Sequence, residues 1–142
     1  MANGSKSQSI GLLLLRVGIG FMFMRFGWDK ISNPDGWAGI GGAMKTVFGV
    51  TAFPAFWGFM AALAEFGGGL ALVLGLFVRP FALLMAFTMA TATAMLIKGG
   101  ADLGKYSHAA DMAVVFVALL FMGGGSYALG AMVPGLRGRW FR

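Results

Sequence analysis

Residues 53–97 read FPAFWGFMAALAEFGGGLALVLGLFVRPFALLMAFTMATATAMLI, and charge appears among them only at Glu65 and Arg79. Crossing about 30 Å of hydrocarbon takes about 20 apolar residues in a helix. The stretch therefore divides into two spans, Phe53 to Phe77 and Pro80 to Ile97, hinged at Phe77-Val-Arg79-Pro80. Proline suits the first position of the second helix, where its missing N–H is not needed. So short a turn makes the two spans antiparallel neighbours. The spans are helical because an open strand in lipid leaves backbone polar groups unpaired. A barrel strand would alternate in polarity, and LALVLGLF does not.

Working outward, a first span runs from Ile10 to Trp28 and a fourth from Ala109 to Met122. The third and fourth are short enough to suggest tilt or local thinning of the bilayer. The fold class expected is all-α, a single four-helix transmembrane bundle over residues 1–142. Composition agrees: 58% of the residues are apolar and 11% charged, where soluble domains average about 45–50% and about 25%. The polar start MANGSKSQS precedes an apolar run with no small-residue cleavage site, which points to a retained first helix rather than a signal peptide. With no cysteine in the chain, disulfides, thiolate metal sites, iron–sulfur clusters and dithiol relays are excluded within it.

The formal charge is +6. Its basic residues are scattered and gather near membrane boundaries, so lipid headgroups rather than nucleic acid are the expected partner. Six lysines and arginines fall on the side of the N-terminus, Arg79 and the tail, against five on the other. With the basic tail at 134–142, this favours cytoplasmic N- and C-termini in a multi-pass protein of the plasma (inner) membrane. Between the first two spans, DKISNPDG is a turn. Trp37, Ile40, Met44, Val47 and Phe48 then recur at helical spacing, which predicts a short interfacial helix with Trp37 near the headgroups. The connection KGGADLGKYSHAAD, before the fourth span, is polar.

Small residues recur every fourth position at Ala82, Ala86, Ala90 and Ala94, and at Gly67, Ala71 and Gly75. Such stripes let backbones approach in lipid, so the second and third spans are expected to meet along them. A seam between two copies of the chain is the other use of such stripes. Thr88, Thr91 and Thr93 can bond to their own backbone and need no catalytic explanation.

Arg16 and Glu65 lie inside apolar spans and Arg25 nearer the outer end of the first. Each such charge costs about 2.5–3.5 kcal/mol on an insertion scale, so each should face the bundle interior. The two arginines are about half a turn out of phase at 100° per residue. One of them is expected to pair with Glu65 while the other snorkels. Three readings of Glu65 stay open: an ion pair holding the first two spans together, part of a polar pocket for a redox cofactor or substrate, or a protonated carboxyl. His108 and Asp111, three apart, share a face at the height of Arg25, Asp29, Lys30 and Lys98. The site hypothesis is an outward-opening cavity roofed by His108 and floored by Glu65. A quinone carbonyl there would need a cationic or imidazole donor and a carboxylate to pass protons. No metal is assigned, since ligation by His108, Asp111 and Glu65 needs a convergence that spacing does not provide.

The segments Arg16 to Lys30 (RVGIGFMFMRFGWDK), Glu65 to Arg79 (EFGGGLALVLGLFVR) and Gly123-Gly-Gly125-Ser126-Tyr127, in that order, resemble the DoxX family over roughly residues 10 to 130. The resemblance implies a four-helix membrane protein. The family is named for a subunit of a thiosulfate–quinone oxidoreductase, and some members associate with membrane redox and thiol-stress systems. In a chain without cysteine, any thiol chemistry would belong to a partner. The resemblance thus implies a small subunit of a membrane redox complex that contacts quinone or anchors an oxidoreductase. Glu65, Arg16, Arg25, Lys30, His108 and Asp111 are the pocket candidates, with no covalently bound cofactor and no assigned catalytic residue. The alternative is a non-catalytic assembly subunit, and a small-solute transporter is weaker still, because four helices leave little room for alternating access.

Overall fold

A computed structural model describes residues 6–133. The basic tail at 134–142 lies outside the described residues. Among the described residues four helices are long and apolar enough to span a membrane: α1 (Lys6–Ile31), α3 (Pro54–Leu74), α4 (Val78–Lys98) and α5 (Leu103–Met122). The shorter α2 (Trp37–Phe48) joins α1 to α3, and α6 (Leu129–Met132) is a single turn after α5. No strand occurs among the described residues, so the all-α bundle with a short helix between the first two spans is what the chain forms.

The helix ends depart from the sequence reading in informative ways. The first span extends in both directions to 26 residues, which places Asp29 and Lys30 on the helix itself. The second span stops three residues early, because Gly75 takes the left-handed conformation (φ 71°) that closes a helix, and its N–H donates to Ala71 O. Phe77 then caps α4, and Pro80 sits at its third position rather than its first. That place is equally harmless, since the first i→i−4 bond of α4 runs from Phe81 N to Phe77 O. The fourth span begins six residues early at Leu103. Asp102 caps it by accepting from the Lys105 N–H at 3.1 Å, a sequence signal passed over inside a polar stretch. With 21 and 20 residues, α4 and α5 are of full spanning length, so thinning is not required.

The outside of the bundle is apolar. Val114 and Phe121 are more than 70% exposed, which water would penalise and acyl chains would not. Inside, Phe23, Leu72, Val78, Met85, Phe116 and Leu119 form the core.

Packing follows glycines, but not along the predicted stripes. α1 lies against α3, and α4 against α5, more extensively than α3 lies against α4. At the α1–α3 crossing a Cβ on Gly20 would stand 2.7 Å from Gly69 O, and one on Gly69 would stand 2.6 Å from Gly20 O. α2 docks on α3 by the same device: a side chain on Gly41 would strike Pro54 O, and one on Gly58 would strike Trp37 O. Along α4, Ala82 and Ala86 are buried, but Ala90 is exposed and Ala94 only half-buried. A four-residue repeat advances about 40° per step past a full turn of an α-helix, so the stripe rotates off the contact face by its third member. On α3, Ala71 is buried, Gly67 faces the Phe81 ring and Gly75 belongs to the turn. The expected α3–α4 seam is therefore only half formed, and space opens between the two helices.

Candidate functional site

Gly27 brings α1 so close to α3 that a side chain there would strike the Phe66 backbone. This contact fixes the last turn of α1 beside Glu65. Lys30, on that turn, donates from Nζ to both carboxylate oxygens of Glu65, at 2.5 and 2.6 Å. Glu65 is buried, whereas a third of the Lys30 side chain remains exposed. The chain after Lys30 is held as well. Its carbonyl accepts from Trp37 Nε1 at 2.9 Å, and the Trp37 ring packs on Phe59 with centroids 4.9 Å apart. Trp37 is thus a structural anchor between α1, α2 and α3.

The pair opens onto a cavity of about 460 Å³ between α2, α3 and α4. Met44 comes from α2, Trp57 and Met60 from α3, Phe87 and Met95 from α4. A mostly apolar concavity of this size with few polar groups is the usual form of a small-molecule site. Its polar members are Lys30, Glu65, Thr88 and Thr91. Thr88 Oγ1 donates to Leu84 O at 2.9 Å, a bond within its own helix. The Thr91 hydroxyl is buried and has no hydrogen-bond partner. Phe56 and Phe87 line the cavity while about half of each stays exposed.

The remaining candidates lie elsewhere. Neither arginine pairs with Glu65. Arg16 is fully buried and donates from Nη1 to Leu72 O at 2.7 Å and from Nη2 to Tyr127 O at 3.3 Å. It ties α1 to the end of α3 and to the segment after α5, where Gly130 N–H also donates to Gly75 O at 3.1 Å. Arg25 pairs with Asp29 one turn along α1, both well exposed. His108 and Asp111 are exposed on α5 and do not line the cavity. The His108 ring sits over Phe23 and Phe26, at 6.5 and 6.2 Å between centroids. Glu65 lines the cavity, whose walls come from α2, α3 and α4, and His108 does not roof it. The reason is one of faces: α5 packs against α4 and touches α1 through the Phe23 and Phe116 rings, leaving the α2 side of α3 to enclose the space. Thr91 and Met44 line the cavity without being named as pocket candidates, because a threonine in TATA and a methionine in a short amphipathic helix carry no chemical signal of their own.

The sequence model of the DoxX family matches residues 11–98. The inner membrane protein YqjF of Escherichia coli (strain K12) is 36% identical to the chain over 88 residues, 61% of this chain and 62% of that protein. The matched region thus spans less than two thirds of the relative's length. No solved structure matches. The family match includes Lys30, Glu65 and Thr91 and ends before α5, which carries His108 and Asp111.

Proposed function

The chain belongs to the DoxX family of integral membrane proteins, and on that premise we propose that it serves as a small subunit of a membrane redox system, holding a quinone in the cavity beside Lys30 and Glu65. The observation that carries this reading is a buried ion pair opening on an apolar space of ligand size. Reducing a quinone to a quinol takes up two electrons and two protons. The electrons come from a partner oxidoreductase. The Lys30 ammonium would donate a hydrogen bond and then a proton to one quinone oxygen, while the Glu65 carboxylate would take up protons from water and pass them on, one to restore the ammonium and one to the second oxygen. The inner membrane, the site named for the relative, is the location proposed for this chain, with both termini on the cytoplasmic side.

The test is extraction of the protein in a mild detergent, followed by analysis of bound quinone and titration with decylubiquinone. Wild type is expected to carry quinone. Glu65→Gln, which loosens Lys30, is expected to weaken binding about tenfold, as loss of one charge-assisted hydrogen bond implies. Quinone-free extracts, with partner turnover unaltered by Glu65→Gln, would overturn the reading.

A further inference from the structure

The three walls of the cavity are not alike. α3 and α4 are each 21 residues long, enough to span the bilayer, and the short turn between them ties one to the other. α2 has 12 residues. At 1.5 Å of rise per residue that is about 18 Å, too short to cross about 30 Å of hydrocarbon. α2 is therefore held by its neighbours rather than by the membrane.

Those neighbours differ along its length. The first half is pinned to α3: a Cβ on Gly58 would come within 1.8 Å of Trp37 O, and one on Gly41 within 1.7 Å of Pro54 O. The Trp37 indole adds its bond to Lys30 O. The last turn reaches α4 instead. Lys98 Nζ donates to Thr46 O at 3.2 Å and to Val47 O at 3.1 Å. The Phe48 ring stacks on Phe87 with centroids 5.9 Å apart. A lysine on the closing carbonyls of a helix also meets the negative end of its dipole. Both bonds come from one exposed side chain. Directly after this latch Gly49 takes φ 73°, with open space where its Cβ would be, so the chain has room to turn there. Ile40, Ala43 and Met44 line the cavity between the pinned end and the latched end.

We propose that α2 is a gate: its last turn, latched to α4 by Lys98 and by the Phe48–Phe87 stack, swings on the pinned first half and admits an apolar molecule between α2 and α4. Opening breaks two exposed hydrogen bonds and one ring contact. It leaves the spanning helices and the Lys30–Glu65 pair in place. Such a gate serves any apolar occupant, so it does not depend on that occupant being a quinone.

The experiment uses the full chain in detergent. Because the chain has no cysteine, one introduced thiol reports alone. Ala64→Cys places it on the cavity wall at a position 2% exposed. Ala82→Cys places it in the core, at a fully buried position that does not line the cavity. The rate of alkylation by N-phenylmaleimide is measured, since a buried thiol reacts in proportion to the time its site is open. Lys98→Met, which keeps the stem and removes the donors, is expected to speed labelling of Ala64→Cys about three- to tenfold, the range for one net hydrogen bond. Phe48→Ala should act in the same direction. Lys98→Arg, which keeps donors on the carbonyls, should label at close to the wild-type rate. Labelling of Ala82→Cys should change less than twofold in every background. Equal acceleration at both thiols would mean a loosened bundle, and equal rates with and without the latch would mean a wall that does not move. Either result refutes the gate. Should Ala64→Cys fail to fold, Met60→Cys on the same wall carries the measurement. Quinone-free extracts would overturn the redox reading and leave these rates unchanged.

Discussion

Helix α1 carries three cations inside or beside its apolar span, and the protein treats each differently. Arg16, toward the middle of the helix, is wholly enclosed and spends its charge on backbone carbonyls of Leu72 and Tyr127. Lys30, at the C-terminal end, meets a buried carboxylate beside an open cavity. Arg25, between them, stays outside with Asp29. Arg16 is packed shut: Gly75 and Ala128 lie so near that a Cβ on Gly75 would come 2.5 Å from Nη1. A site without space beside it can hold the fold together but cannot take a ligand. The Lys30–Glu65 pair also holds the fold, linking α1 to α3, yet it keeps one flank open. The contrast separates a charge used as a clasp from a charge offered to another molecule, and it is decided by the free volume next to the charge rather than by its depth.

The largest effect should come from the clasp. In Arg16→Met the apolar stem is replaced but both carbonyls lose their donor, and the joint between α1, the end of α3 and the α6 turn loosens. A loss of about 3 kcal/mol or more is expected, the range for hydrogen bonds to a charged group plus the carbonyls left unsatisfied. Unfolding in detergent would measure it, and quinone affinity per folded molecule should be unchanged. A variant that folded normally but lost affinity would break the comparison, because Arg16 would then belong to the site.

A smaller effect is expected at the open pair. Glu65→Leu leaves the Lys30 ammonium without its carboxylate, but a third of that side chain already reaches outward, so about 1–3 kcal/mol is lost rather than the larger cost of a sealed pair. Adding Lys30→Met should recover most of that stability, since buried ion pairs are often replaceable by apolar residues of similar size. Binding should not recover. Recovery of stability and binding together would mean the pair only fills space, and the non-catalytic assembly reading would then be preferred.

Much of the fold was legible in the sequence because lipid as solvent leaves few options: runs of about 20 apolar residues must be helices. The short helix at Trp37–Phe48 was also legible, from its amphipathic spacing. The pairing of charges was not. Whether Glu65 is paired or protonated stayed open, and depth along a straight helix favoured Arg16 or Arg25 as its partner. Lys30 reaches it because α1 continues to Ile31 and Gly27 lets the two backbones close up. The alanine stripe misled for a different reason, since spacing by four drifts around a 3.6-residue turn and Ala90 ends facing out. Thr91 was invisible, because its distinction from Thr88 and Thr93, which bond to their own helix, lies in a hydrogen bond that it does not make.

The smallest expected effect is at His108, which the sequence placed over the cavity and the fold places on another face. His108→Ala removes a ring that lies near Phe23 and Phe26 and is itself exposed. Surface substitutions of this kind usually change stability by less than about 0.5 kcal/mol, and loss of two loose ring contacts adds little. Decylubiquinone affinity should match wild type, because α5 contributes no wall to the cavity between α2, α3 and α4. Asp111→Asn should behave in the same way. If either change weakened quinone binding as much as Glu65→Gln does, the ligand would have to lie against α5. The opening beside Lys30 and Glu65 would then be a packing defect left by the incomplete α3–α4 seam, with no claim to be a site.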